Sequence, residues 1–196
     1  PFATPAESSA KPTSTSIRPR AKIASSPTAP SKPSPIVFTD ITDQSGVDFV
    51  PFSGTTPEKH FPTANGTGAA MIDFDQDGWL DLFFANGCRL DVDAAAEPTT
   101  LWRSRSGESF ERMSKPCGAE VTGFTQGVAV GDYNCDGFPD LYLTRFGPNI
   151  LLENNGDGTF RDATAASGLG DPRWGTSAAF LDYDEDGNPD LYVANY

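Results

Sequence analysis

The sequence predicts an all-β fold, and more narrowly an incomplete segment of a β-propeller. Three observations lead to this prediction: a stretch of 19 residues occurs three times, short β-type segments surround each copy, and no segment sustains a helical period. The copies occupy residues 68–86, 127–145 and 177–195, and the first Asp of their shared motif falls at 73, 132 and 182. Repeats of this length, rich in short strands, are typical of propeller blades.

Each repeat offers four short strands. In the second repeat they are predicted near 126–132, 139–144, 149–153 and 158–163, where small, β-branched and aromatic residues are separated by Gly, Asn, Asp and Pro. Four strands in 50 to 60 residues match one blade. We therefore expect blades at about 66–115, 124–165 and 174–196, the last incomplete.

The first part of the sequence is predicted to differ. Residues 1–35 consist mainly of Pro, Ser, Thr and Ala, and we expect a disordered linker because such a segment buries too little apolar surface to fold. Residues 38–47 match residues 160–169, which predicts an orphan outer strand at about 36–50. We interpret residues 36–196 as a fragment of a longer ring, which needs the remaining blades for closure.

The charge of the folded part excludes some partners. Residues 36–196 hold 26 acids and nine bases, a formal charge of −17, which repels phosphate backbones and argues against nucleic acid. No apolar run approaches the roughly 18 residues of a transmembrane segment. Bound divalent cations would offset the self-repulsion of so acidic a domain.

The shared motif reads Asp-x-Asp/Asn-x-Asp-Gly-x-x-Asp, and we predict that it binds Ca²⁺ at up to three sites. Calcium takes six to eight oxygen ligands around a tight turn, and the glycine permits that turn. The predicted ligands include one backbone carbonyl in each motif. In loop 1 (residues 73–81) they are Asp73, Asp75, Asp77, the Trp79 carbonyl and Asp81; in loop 2 (132–140) Asp132, Asn134, Asp136, the Phe138 carbonyl and Asp140; in loop 3 (182–190) Asp182, Asp184, Asp186, the Asn188 carbonyl and Asp190.

Two alternatives accompany this prediction. Asp and Gly also form ordinary turns, but that does not explain four oxygen-bearing side chains at the same offsets three times. Residues 154–160 resemble a further metal loop, yet they lack the closing acid, so we predict a hairpin turn there.

Because loop 2 offers three carboxylates and loops 1 and 3 offer four each, we expect loop 2 to bind calcium most weakly.

These loops, each followed by Asp-Leu-aromatic, and the turn Asn-Asn-Gly-Asp-Gly-Thr-Phe at 154–160 resemble FG-GAP/VCBS repeats, the propeller units of integrin α subunits. The segments 38–42, 45–49 and 66–70 are similar to those of the cartilage acidic protein-like group, whose propeller is usually followed by an ASPIC/UnbV domain. The resemblance covers about residues 36–196. It implies structural calcium, a binding or adhesion role, and a secreted, periplasmic or cell-surface location.

A binding module for an unidentified protein or glycan is therefore the predicted function, with no catalysis of its own. We expect the partner surface on the segments that differ most between repeats, such as 51–66 and 87–99. The alternatives are the propeller part of a polysaccharide-active lyase or hydrolase, and a spacer that binds calcium alone. The lone His60 lacks a recognisable catalytic partner. Cys88, Cys117 and Cys135 fit either one disulfide with a free thiol or three reduced thiols.

Overall fold

The computed structural model describes residues 36–90 and 97–196. The linker predicted at 1–35 and the middle of the variable segment 87–99 lie outside the described residues. The chain divides into two units, residues 1–39 and 40–196. Residues 36–39, the described part of the first unit, form no regular secondary structure.

The second unit is built from antiparallel sheets that follow the three repeats. Two sheets have four strands each, in the order β1-β2-β3-β4 and β5-β6-β7-β8, and the third pairs β9 with β10. The strands are β1 (Ala69–Ile72), β2 (Asp81–Phe84), β3 (Thr100–Arg105), β4 (Ser109–Arg112), β5 (Thr125–Gly131), β6 (Asp140–Arg145), β7 (Ile150–Asn154), β8 (Phe160–Asp162), β9 (Gly175–Leu181) and β10 (Asp190–Asn195). The four strands predicted for the second repeat are confirmed to within two residues.

The sheets are successive propeller blades, and their first strands lie side by side. Strand β5 lies next to both β1 and β9, and Gly68 at the edge of β1 donates its N–H to the carbonyl of Gln126 at 2.8 Å. The described residues of the second unit thus form an incomplete propeller segment, the predicted fold class. A Cβ at Gly131 of β5 would lie 2.4 Å from the ring of Phe180 in β9, so close blade packing requires glycine there.

The hydrophobic core lies between blades rather than within them. Side chains alternate along a strand, so Leu141 and Leu143 of β6 pack into a cluster with the first blade, whereas Tyr142 faces the third repeat. The first cluster joins Phe74 and Phe83 to Phe160, and the rings of Phe74 and Phe160 are 6.1 Å apart. Strand β6, covered on both faces, is almost wholly buried.

The orphan strand predicted at about 36–50 does not form in the described residues. Instead, a helical turn, α1 (Thr42–Ser45), follows a stretch without regular secondary structure. It repeats α2 (Thr164–Ser167), which follows β8: the C-cap glycines Gly46 and Gly168 have φ of 76° and 73°. The sequence match is therefore confirmed in the turn. A strand needs a neighbouring strand to pair with; β7 is that strand for β8, whereas none of the strands in the described residues pairs with residues 37–41.

Several smaller features complete the described fold. Residues 154–160 form the β7–β8 hairpin turn, with the Asn155 N–H bonded to the Thr159 carbonyl at 2.9 Å. All three cysteines are free thiols. A short 3₁₀ helix, Phe61–Ala64, lies in the variable segment 51–66. Within residues 36–90 and 97–196, no helix has the length and apolar character that crossing a bilayer requires.

Candidate calcium loops

The three acidic loops share one backbone conformation. In each, strand register places the residue before the first Asp opposite the closing Asp: Ile72 with Asp81, Gly131 with Asp140, and Leu181 with Asp190. Two positions of each loop have positive φ. At the sixth they are glycines with φ of 88°, 93° and 87°, and at the fourth they are Gln76, Cys135 and Glu185 with φ of 56°, 58° and 61°. The glycine of the motif is required because this conformation strains other residues.

Hydrogen bonds from the loop backbone hold the first and third acids in the same way in all three loops. The glycine N–H donates to Oδ2 of the first Asp at 3.0, 2.8 and 3.0 Å in loops 1, 2 and 3. The next N–H, that of Trp79, Phe138 or Asn188, donates to Oδ1 of the third acid at 3.0, 2.9 and 2.8 Å. That the carbonyl oxygens of these three residues bind the metal stays a prediction.

The closing acids of loops 1 and 2 lock those loops to their blades. Asp81 is fully buried, and its two oxygens accept the N–H groups of Phe74 at 3.1 Å and Ser104 at 2.7 Å. Asp140 is equally buried and accepts those of Tyr133 at 3.0 Å and Asn154 at 2.8 Å. The closing acid therefore ties the loop to the third strand of its own blade, a role that the sequence motif alone did not reveal.

Burial makes the charge of these closing acids costly. Desolvation raises the pKa of Asp81 to about 6; the N–H bonds from Ser104 and Phe74 oppose this shift, and the charges of Asp75 and Asp77 add to it. Desolvation likewise raises the pKa of Asp140 to about 6, against the N–H bonds from Asn154 and Tyr133. A cation beside either carboxylate would favour its ionised form.

Loops 1 and 3 each bring three carboxylates together. In loop 1, one oxygen from each of Asp73, Asp75 and Asp81 lies within 4.8 Å of the others, and in loop 3 the same holds for Asp182, Asp184 and Asp190. In loop 1 the Oδ1 atoms of Asp73 and Asp75 are buried without a hydrogen-bond partner. Buried carboxylate oxygens without donors are costly, and a hard cation satisfies them.

Loop 2 has the same fold but a different set of side chains. Asn134 takes the second position, where its Nδ2 donates to Asp136 Oδ2 at 2.9 Å and its Oδ1 accepts the Asp136 N–H at 3.1 Å. Both oxygens of Asp132 accept backbone N–H groups. The structure therefore leaves fewer free oxygens in loop 2 than in loop 1.

Sequence reasoning missed two neighbours of the loops. Arg103 on β3 reaches loop 1, where its Nε lies 2.6 Å from Asp75 Oδ2 and its Nη2 lies 3.3 Å from Asp77 Oδ2. Gln76 of loop 1 donates to the Gly137 carbonyl of loop 2 at 2.5 Å and links adjacent blades. The 50-residue step that aligns Leu101 with Leu151 also aligns Arg103 with Glu153. This reversal of charge between repeats is the sequence signal that points to Arg103.

Calcium fits these residues better than other metals. Every ligand predicted for the loops is a carboxylate, amide or carbonyl oxygen, the set that hard cations prefer. Magnesium needs a nearly ideal octahedron and keeps its waters, whereas calcium accepts the irregular spacing of a nine-residue loop. When bound, the ion would neutralise the converging carboxylates and fix each loop to the strand that follows it.

Comparison with known proteins supports this reading of the repeats. The model of the family described as FG-GAP-like repeat matches residues 73–143 and 136–193. The chain is also similar to cartilage acidic protein 1 from Homo sapiens (31% identity over 137 residues), Mus musculus (30% over 137) and Xenopus tropicalis (28% over 138). Each alignment covers 67% of this chain and 21% of the relative, so the chain spans about a fifth of these curated relatives. The chain belongs to the FG-GAP-like repeat family.

Proposed function

We propose that this propeller segment is a calcium-stabilised binding module of a secreted or cell-surface protein. The observation that carries the calcium part is the pair of buried, unpartnered oxygens on Asp73 and Asp75 inside a three-carboxylate cluster. The same cluster recurs in loop 3 on an identical backbone. Calcium would hold the ends of β1 and β2, and of β9 and β10, together against the repulsion of their acids.

The extracellular location rests on likeness to the cartilage acidic proteins and on the predicted class of repeat. Calcium is far more abundant outside cells than in the cytosol, and extracellular modules commonly bind it with millimolar to submillimolar affinity. Loops with mostly exposed acids, such as loop 3, suit that range.

The binding role is supported by an aromatic cluster at the end of the blades opposite the loops. Phe146 follows β6, Trp174 precedes β9 and Tyr196 follows β10, while Phe61 comes from the variable segment 51–66. The ring of Trp174 lies 6.0 Å from that of Phe61, 5.5 Å from that of Phe146 and 4.6 Å from that of Tyr196. Phe61, Phe146 and Tyr196 are 55%, 45% and 79% exposed, which suits stacking on a neutral sugar or packing against a protein.

The calcium part is tested by thermal melts of the protein with calcium, with magnesium and with EDTA. We expect calcium to raise the melting temperature more than magnesium does, and Asp73→Asn and Asp182→Asn each to reduce that gain. Asp43→Asn is the matched control, because Asp43 lies in the helical turn α1, outside all three loops. Equal gains in all three variants would contradict the proposal.

The binding part is tested with a panel of immobilised neutral oligosaccharides, because the acidic charge disfavours sulfated or carboxylated ones. We expect retention that Phe61→Ser abolishes while the melting temperature stays unchanged. Absence of retention would favour a protein partner, and release of shortened products would support the alternative of a polysaccharide-active enzyme.

A further inference from the structure

Loop 1 differs from loops 2 and 3 because a cation from its own blade touches its acids. The ion pairs of Arg103 with Asp75 and Asp77 are the contacts that set it apart. Among residues 36–90 and 97–196, no comparable pair is found for the acids of loops 2 and 3. The pairs are only partly open to water: the side chains of Arg103, Asp75 and Asp77 are 30%, 15% and 30% exposed. Such pairs are screened less than fully exposed ones.

The fold directs Arg103 to this loop. Its neighbour Ser104 donates its N–H to the closing acid Asp81, so β3 runs directly beside the loop. The corresponding residue of the second blade is Glu153, which accepts a hydrogen bond from Tyr133 at 2.6 Å and pairs with Arg161. The same strand position thus adds a positive charge next to loop 1 and a negative charge next to loop 2.

We infer that Arg103 is a built-in counter-ion of loop 1, which stabilises that loop without metal and lowers its affinity for calcium. This inference rests on the proposed function. The guanidinium donates a hydrogen bond to Asp77 Oδ2 and forms an ion pair with Asp75, and a calcium ion would need both of these carboxylates. Calcium binding at loop 1 must therefore break or loosen these pairs, a cost that loops 2 and 3 do not bear.

The charge balance changes the expected order of affinities. Four carboxylates and one guanidinium leave loop 1 with three net negative charges, the number that the three carboxylates give loop 2. Loop 3 keeps all four. We therefore expect loop 3 to bind calcium most tightly, and loop 1 to lose the advantage over loop 2 that its sequence gave it.

A displaced guanidinium has another acid nearby. Arg103 and Asp75 line a cleft that also includes Asp157 and the glycines on either side of it, in the β7–β8 turn of the second blade. Release of Arg103 from loop 1 would therefore leave its guanidinium in a cleft that already contains a second carboxylate.

The test uses Trp79 as a reporter of loop 1. The corresponding residues of loops 2 and 3 are Phe138 and Asn188, so terbium luminescence sensitised by Trp79 reports on the first loop. Trp79→Phe, which makes loop 1 match loop 2 at this position, identifies the part of the signal that Trp79 contributes. Displacement of terbium by calcium then measures the affinity of loop 1.

We expect Arg103→Gln to raise the calcium affinity of loop 1 by about tenfold, the effect of removing one nearby charge. The same change should lower the melting temperature in EDTA. Arg105→Gln is the matched control, because Arg105 lies on the same strand and pairs with Glu111 instead. It should change neither quantity.

The possible failures are distinguishable. If loops 2 and 3 bind calcium by calorimetry but Arg103→Gln leaves the loop 1 affinity within twofold of the original, the inference about Arg103 is wrong and the proposed function stands. If no loop binds calcium in either protein, the proposed function is wrong, and the inference that depends on it falls as well.

Discussion

The second blade and the third repeat carry nearly the same sequence motif but occupy different environments. Tyr142 of β6 is fully buried, whereas its counterpart Tyr192 of β10 is 66% exposed. The closing acid Asp140 is fully buried, and its counterpart Asp190 is exposed. The second blade has a neighbour on each side and four strands, whereas the third repeat has two strands and one neighbour. A propeller blade thus acquires its core from adjacent blades and not from its own sequence alone.

The largest effect is expected from truncating Tyr142, with truncation of its counterpart Tyr192 as the comparison. The Tyr142 hydroxyl donates to the Leu169 carbonyl at 2.8 Å, and its ring fills the interface toward the third repeat. Tyr142→Ala should lower the free energy of unfolding by about 3–5 kcal/mol, the usual cost of removing a buried aromatic ring. Tyr192→Ala should cost less than about 1 kcal/mol because its ring is mostly in water. Urea denaturation measures both, and similar losses would contradict a difference set by neighbouring blades.

A smaller difference is expected between the closing acids in the absence of metal. Asp140→Ala leaves the buried N–H groups of Tyr133 and Asn154 without acceptors, and each unsatisfied group costs about 1–3 kcal/mol. Relief of the buried charge offsets part of this cost, so we expect a net loss of about 2 kcal/mol in EDTA.

Asp190→Ala is the control for this prediction. Its carboxylate accepts the Tyr183 N–H at 2.8 Å, but water can replace that acceptor because Asp190 is exposed. We expect a loss below about 1 kcal/mol in EDTA. Calcium titrations of the same variants would then separate the structural role of the closing acid from its role as a ligand.

The packing of β5 against β9 gives the next test. Gly131→Ala would press a methyl group against Phe180 and should cost about 1–3 kcal/mol through overpacking. Combining it with Phe180→Leu should recover part of that loss, because the two residues are in contact. Strictly additive losses in a double-mutant cycle would indicate that the contact does not limit the approach of the blades.

The smallest effect is expected for an exposed ion pair of the first blade. Arg105 and Glu111 are about half exposed, on β3 and β4. Arg105→Gln should change the free energy of unfolding by less than about 0.5 kcal/mol, because water and salt screen such pairs. A loss as large as that of Arg103→Gln would remove the distinction between this pair and the partly buried pairs at loop 1.

Local patterns in the sequence predicted the fold well because they act over few residues. The nine-residue loop spacing and the glycine at its sixth position each depend on neighbours in the chain, and both are found in the structure. The orphan strand was predicted wrongly for the opposite reason. Residues 38–47 carry the right sequence, but a strand forms only with a partner, and a match along the chain cannot provide one.

The sequence by itself determined the three loops, the strands that flank them and the acidic and amide side chains that the loops carry, because turn geometry is local. Only the tertiary structure decided which closing acids are buried, which oxygens lack donors, and that Arg103, 28 residues after Asp75 in the sequence, reaches loop 1. Those features arise where strands of one blade pair and where neighbouring blades pack. The free energy of an ionised side chain depends on its burial and on nearby charges more than on its position in the motif.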